Sequence, residues 1–156
     1  MSNARVAAAV AVAGSTALVG FVGLWEGTEY VPYRDIGGIW TVCDGVTGRD
    51  VIPGKVYTRA ECRALTSGKL REHAIGLAQC IKVDLPEKVW AAWISWTYNV
   101  GVNAACGSSL VRLANAGDLE GACNQLTRWN RVGPKVVQGL TNRRVAELKW
   151  CLEGLQ

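Results

Sequence analysis

The chain has no cysteine pair with metal-ligand spacing. None of its six cysteines stands in a CxxC or CxxxC pattern, and His73 is its one histidine, which argues against a zinc site. Charge is also scarce. Charged residues make up 19% of the chain, and 17 basic against 13 acidic residues leave a net charge of only +4. That falls well short of the dense basic stripes of nucleic-acid binders, so no nucleic-acid partner is expected. The 18 glycines and 4 prolines follow no collagen-like period, and there are no internal repeats, low-complexity tracts or linkers. A hydrophobic content of 49% excludes disorder as the main state. The 156 residues therefore make one domain with a short appendage. The mild positive charge suits approach to an anionic polymer or surface.

The apolar residues are unevenly placed. From Val6 to Trp25, twenty consecutive residues carry no charge. As one helix, at about 1.5 Å per residue, they would span roughly 30 Å, the hydrocarbon thickness of a bilayer. The run is mostly Ala, Val and Gly, with Ser15 and Thr16 at its middle, so its insertion would be marginal. It reads as a buried core helix, a cleaved signal peptide or an uncleaved export signal. Its length exceeds the usual core of a signal peptide, which favours the third. Arg5 in front favours a cytoplasmic N-terminus and an exported remainder. Residues 1–25 are accordingly expected to form a signal-anchor segment, and residues 26–156 the folded domain.

All six cysteines lie after this run. An even number on the exported side reads as disulfides in an oxidising compartment. Fifteen connectivities are possible in principle. The expectation is the sequential set, Cys43–Cys62, Cys80–Cys106 and Cys123–Cys151.

Residues 28–57 alternate aromatic and β-branched residues with Gly pairs and Gly-Pro punctuation, which predicts a small two- or three-stranded sheet. Thr58-Arg59-Ala60-Glu61 matches a capping box, so a helix is expected from there to about Gln79, weakened by Gly68 and Gly76. Pro86 opens another helix, to about Tyr98, on which Trp90, Trp93 and Trp96 make either a core face or a sugar-stacking platform. Ser108 or Ser109 caps a short helix ending at Gly117. Asp118 caps one reaching Trp129, Pro134 opens a short helical turn, and Asn142–Leu152 is the last helix. A groove between a small β-lobe and a helical lobe is where an extended polymer would lie.

The stretch after the apolar run holds a carboxylate pair, Glu26 and Asp35. Two carboxyls are the minimal equipment for breaking a glycosidic bond: one protonated to feed the leaving oxygen, one ionised to place a water. Glu26 follows apolar residues, and a dry face favours the protonated form. Asp35 stands beside Arg34, which favours the ionised form. If Gly37–Ile39 forms a three-residue hairpin loop, Asp35 faces Thr41 across the ladder, and the two would share a water. Two solvated carboxylates nine residues apart are, however, common in any sequence.

The motifs carry more. Glu-x8-Asp-x5-Thr, with Tyr33-Arg34-Asp35 leading into Gly37-Gly38-Ile39-Trp40-Thr41, resembles the phage-type lysozymes of glycoside hydrolase family 24. So do Cys43-Asp44-Gly45-Val46-Thr47-Gly48, Tyr57-Thr58-Arg59-Ala60-Glu61, Tyr98-Asn99-Val100-Gly101, Arg128-Trp129 and Gly139-Leu140-Thr141-Asn142-Arg143-Arg144-Val145-Ala146-Glu147. The likeness covers residues 24–155. It implies an α+β, mostly helical, lysozyme-like two-lobed fold, with a small β-hairpin lobe, a long connecting helix and a helical C-terminal lobe. It implies Glu26 as general acid, Asp35 as the residue placing the water, and Thr41 assisting. Asn99 would face the sugar, and Arg143, rather than Arg144, would lie near Glu26. The implied reaction is inverting hydrolysis of the bond between N-acetylmuramic acid and N-acetylglucosamine in peptidoglycan during host lysis, with no metal or cofactor and a monomeric enzyme. Lytic transglycosylase action and non-catalytic cell-wall binding are the alternatives. The family usually has His after the turn glycine, where this chain has Val46. The N-terminal run is similar to that of signal-arrest-release endolysins. That subset is exported to the periplasm, held inactive on the inner membrane, and freed on depolarisation.

Overall fold

The computed structural model describes residues 2–156. The apolar run is not one rod. It forms α1 (Asn3–Ala13) and α2 (Thr16–Glu26), bent by 61° at the Gly14-Ser15 break. Ser15 makes the break, since its side chain accepts the Leu18 N–H at 3.2 Å and starts a new helix. Among the described residues no single helix is long and apolar enough to cross a membrane, although the bent pair taken together has the length and composition. Both helices rest on the body. Ala9, Val12 and Ala13 of α1 and Leu18 and Val22 of α2 are buried in the main core.

Strands β1 (Glu29–Arg34), β2 (Trp40–Cys43) and β3 (Val46–Thr47) form an antiparallel sheet in that order. The hairpin register differs from expectation. Tyr33 pairs with Thr41 and Arg34 with Trp40, and the Asp35 N–H donates to Ile39 O at 3.0 Å. The loop is therefore Ile36–Gly38, and Asp35 lies opposite Ile39 rather than Thr41. A three-residue hairpin loop places its last residue in the left-handed region. Gly38 adopts that conformation, with φ +75°, whereas β-branched Ile39 would be strained there. The β1–β2 register also shifts between Glu29 and Tyr33, the stretch that contains Pro32, and proline is tolerated at such irregularities.

Beneath this sheet lies a small core of Val42, Cys43, Val46, Val51, Tyr57 and Cys62. Val46 is buried here and pairs with Val42, so the position that usually holds His contributes packing. The polar link from this lobe is made by Asp44 instead. Its buried carboxylate accepts Thr28 Oγ1 at 2.5 Å and Thr66 Oγ1 at 2.6 Å.

Thr66 belongs to α3 (Arg59–Cys80), the long connecting helix. Thr58 caps it with both halves of a capping box. The Thr58 N–H and the Lys55 ammonium hold the Glu61 carboxylate down to about 2. Next come α4 (Glu87–Val100), α5 (Val102–Cys106), α6 (Ser109–Asn115) and α7 (Leu119–Asn124). A short 3-10 turn (Gln125–Arg128) and α8 (Gln138–Gly154) follow. In α4 every residue from Val89 to Thr97 is buried, as expected of a helix surrounded on all sides. Trp90, Trp93 and Trp96 are thus core residues and offer no stacking platform.

In the C-terminal third, the helix capped by Asp118 is α-helical to Asn124 and winds on as the 3-10 turn to Arg128, as far as Trp129, and the last helix begins at Gln138 rather than Asn142. Pro134 starts no helix but sits in the turn of a hairpin, β4 (Arg131–Val132) and β5 (Lys135–Val136). A turn requires no ladder bond from a residue that lacks an N–H. Helix α5 went unread because five residues carry too little periodicity to register.

The cysteines pair as Cys43–Cys62, Cys80–Cys106 and Cys123–Cys151. They tie β2 to α3, the end of α3 to α5, and α7 to α8. Loops of this size give about 3 kcal/mol each in the chain-entropy account. This is the expected two-lobed architecture, with a small sheet, a connecting helix and a helical lobe.

Candidate active site

Glu26 is the last residue of α2, and its side chain is 22% exposed. Its Oε1 accepts a hydrogen bond from Arg143 Nη1. Among the described residues Oε2 receives none, so Arg143 holds one carboxyl oxygen and not the other. Gly45 stands against that second oxygen, and a Cβ built there would lie 3.5 Å from Oε2. Gly45 has φ +77°, so the turn and the close approach both call for glycine.

Arg143 is buried, and its guanidinium is divided among three partners. Nη1 goes to Glu26, Nε to Glu147 Oε1 at 3.1 Å, and Nη2 to the Ser95 carbonyl at 3.1 Å. Glu147 Oε1 also accepts the Ser95 hydroxyl at 2.7 Å and Arg144 Nη2 at 3.3 Å. Burial pushes the Glu147 carboxyl up, and the two guanidiniums and the Ser95 hydroxyl oppose it. Burial likewise lowers Arg144 to about 10, against the pull of Glu147.

A cavity of about 430 Å³ opens beside Glu26, lined by Gly27, Glu29 and Tyr33. Tyr33 connects the two halves of the site. It lines this cavity, pairs with Thr41 across the ladder, and shares a strand face with Asp35 two residues on. Asp35 and Thr41 are thus diagonal neighbours on one face, about 7–8 Å apart at the backbone. Asp35 Oδ1 accepts the Ile39 N–H at 2.9 Å, a charge-assisted bond that suits a carboxylate. Arg34 does not pair with Asp35. It donates to Gly38 O at 2.8 Å and lies over the Trp40 ring. Thr41 is buried, and its hydroxyl donates to Ile39 O at 3.1 Å.

The structure therefore brings Glu26 and Arg143 into contact and puts Asp35 and Thr41 on the sheet face of Tyr33, the strand residue that lines the Glu26 cavity. Asn99 is exposed near the end of α4 and makes no hydrogen bond among the described residues. Its neighbour Tyr98 is the engaged one, donating to the Asp44 carbonyl at 2.6 Å. Burial pushes the Tyr98 hydroxyl up, and the Glu26 and Asp44 carboxylates add to this. Sequence reasoning named no role for Asp44, Gly45, Ser95 or Glu147. For Glu147 a signal was present, because Arg143 and Arg144 precede it at the helical ion-pair spacings of four and three. His73 sits half-buried in α3 with Nδ1 2.7 Å from Lys69 O, its ring 5.2 Å from that of Tyr98.

A small sheet, a long connecting helix and a helical body, with a cavity beside Glu26 at the sheet, make a lysozyme-like fold. The phage lysozyme family profile matches residues 23–147, and the chain belongs to that family. It is 48% identical over 131 residues to the SAR-endolysin of Enterobacteria phage P21, covering 84% of this chain and 79% of that one. The SAR-endolysin of Pseudomonas phage phiKMV is 38% identical over 143 residues, covering 89% and 88%. Among solved structures, the active form of P1 phage endolysin Lyz aligns with a TM-score of 0.80 at 27% identity, covering 91% of this chain and 86% of that one.

Proposed function

We propose that this chain is a signal-arrest-release endolysin, a muramidase that hydrolyses the β-1,4 bond between N-acetylmuramic acid and N-acetylglucosamine of peptidoglycan. Glu26 is the general acid, giving the proton on Oε2 to the bridging oxygen. Asp35 steers the attacking water from the sheet face, with Thr41 beside it. Asn99, exposed at the end of α4, contacts the sugar, and Arg143 orients Glu26. An inverting reaction needs the two carboxyls about 6.5–9.5 Å apart, so that a water fits between them. The observation that carries this reading is Tyr33, which lines the Glu26 cavity and pairs with Thr41 on the face of Asp35.

The N-terminal residues 1–25 are the signal-anchor and residues 26–156 the catalytic domain, exported to the periplasm and acting as a monomer. Support comes from the SAR-endolysin relatives and from the uncharged run, which ends one residue before Glu26. While the run crosses the inner membrane, Glu26 is pinned at the bilayer surface and cannot reach Arg143. The described conformation, with both helices docked, corresponds to the released enzyme.

Glu26→Gln is expected to abolish release of reducing sugar from purified peptidoglycan, with circular dichroism and Tm close to the parent. Hydrolysis at the parent's rate would reject Glu26 as the acid. Anhydro-muropeptides among the parent's products would establish transglycosylation instead.

A further inference from the structure

Glu147 is fully buried and lies behind the site, and the proposed chemistry gives it no part. Its Oε1 accepts from three groups, the Ser95 hydroxyl, Arg143 Nε and Arg144 Nη2, and its Oε2 stands 2.8 Å from Arg144 Nε. Every one of these neighbours is a donor. Oε1 is thereby satisfied as a carboxylate oxygen, while Oε2 faces Arg144 Nε as an ion pair without a hydrogen bond. Arg143 thus bridges two carboxyl groups, Glu26 toward the cavity and Glu147 toward the core. A guanidinium with a single anionic partner would hold that partner firmly ionised. A general acid cannot work in that state.

We infer that Glu147 is a positioning residue that shares the charge of Arg143, so that Glu26 is oriented by the arginine yet still takes up a proton. The inference rests on the reading of Glu26 as the acid. Arg144, paired to the same carboxylate, sets how much of that negative charge reaches Arg143. The other charged and titratable groups around Glu26 are Glu29 on β1, Asp44 in the turn beside Gly45, and Tyr98 on α4. None of them touches Arg143 in a hydrogen bond among the described residues.

Glu147→Gln keeps the side-chain shape and an acceptor oxygen while removing the charge. Arg144→Met removes the opposing cation. The full disulfide-bonded chain is assayed on purified peptidoglycan for kcat/KM against pH. The Glu26 carboxyl is titrated in parallel by carbon-13 NMR, assigned by the resonance that Glu26→Gln deletes. Because the acid must be protonated, its loss of a proton makes the basic limb of the profile. Glu147→Gln is expected to move that limb and the Glu26 midpoint to lower pH by about one unit or more, a tenfold smaller protonated fraction above them. Arg144→Met is expected to move both to higher pH. A merely structural role lowers Tm without moving either midpoint in opposite directions. A folded variant whose Glu26 midpoint matches the parent overturns the inference. Either variant alone decides if the other fails to fold. An active Glu26→Gln would instead remove the reading of Glu26 itself.

Discussion

The site depends on the two oxygens of Glu26 being treated differently. Arg143 occupies Oε1, while Gly45 leaves Oε2 accessible. Gly45→Ala would put a methyl 3.5 Å from Oε2 and force an L-residue to φ +77°. It is expected to lower stability by about 1–2 kcal/mol from the backbone alone, seen as a drop in Tm. With Glu26 as the proposed acid, a further loss of kcat is expected, because the methyl crowds the carboxyl oxygen that would hold the proton. A stability loss with unchanged kcat would place the proton on the other oxygen. Of the residues the sequence singled out, the Glu26–Arg143 contact was legible from the C-terminal motif, while Asp35 and Thr41 are joined to that cavity through Tyr33 alone. Asp44 was hidden. Its neighbours Thr28 and Thr66 are 16 and 22 residues away, and no local spacing announces a contact of that range.

At the level of elements, two glycines in α3 that look alike in sequence have different surroundings. A Cβ at Gly68 would meet nothing within 4 Å, whereas one at Gly76 would stand 2.7 and 2.8 Å from the Val102 methyls of α5. Helix α5 is tied to the end of α3 by Cys80–Cys106, so Val102 has little room to retreat. Gly68→Ala is expected to stabilise the protein by up to about 1 kcal/mol through helix propensity. Gly76→Ala is expected to destabilise it, since overpacking of about 1–3 kcal/mol outweighs that gain. Urea midpoints of the two variants would shift in opposite directions, and a shared direction would contradict the packing account. Elements with a local chemical cause were readable in this chain, such as the Thr58 capping box and the Ser108 and Asp118 caps. The hairpin register was readable only by asking which residue tolerates the left-handed position. The β4–β5 hairpin was not legible, because Pro134 suits a tight turn as well as a first helical turn and only its partner strands decide between them.

For the whole molecule, the proposed signal-anchor role asks the N-terminal run to satisfy two environments with opposite demands. A bilayer favours large aliphatic side chains, while the docked position of α1 on α3 and α4 favours small ones. Ala9 and Ala13, one helical turn apart, are completely buried there. The alanine-rich composition that makes insertion marginal is thus the same composition that lets α1 pack closely. Ala9→Leu with Ala13→Leu is expected to disturb both balances in one direction. Each leucine overfills the seat by about 1–3 kcal/mol and improves the span's insertion by a few tenths of a kcal/mol. Ala7→Leu with Ala8→Leu makes the same change in apolarity at positions exposed in the docked form. The buried pair should lower the Tm of the soluble protein and sharply reduce the fraction recovered from the periplasm after depolarisation. The exposed pair should leave Tm near the parent and reduce release only slightly. Equal effects of the two pairs would mean that bilayer affinity alone governs release, and that docking of α1 contributes nothing to drawing Glu26 out of the membrane surface and onto Arg143.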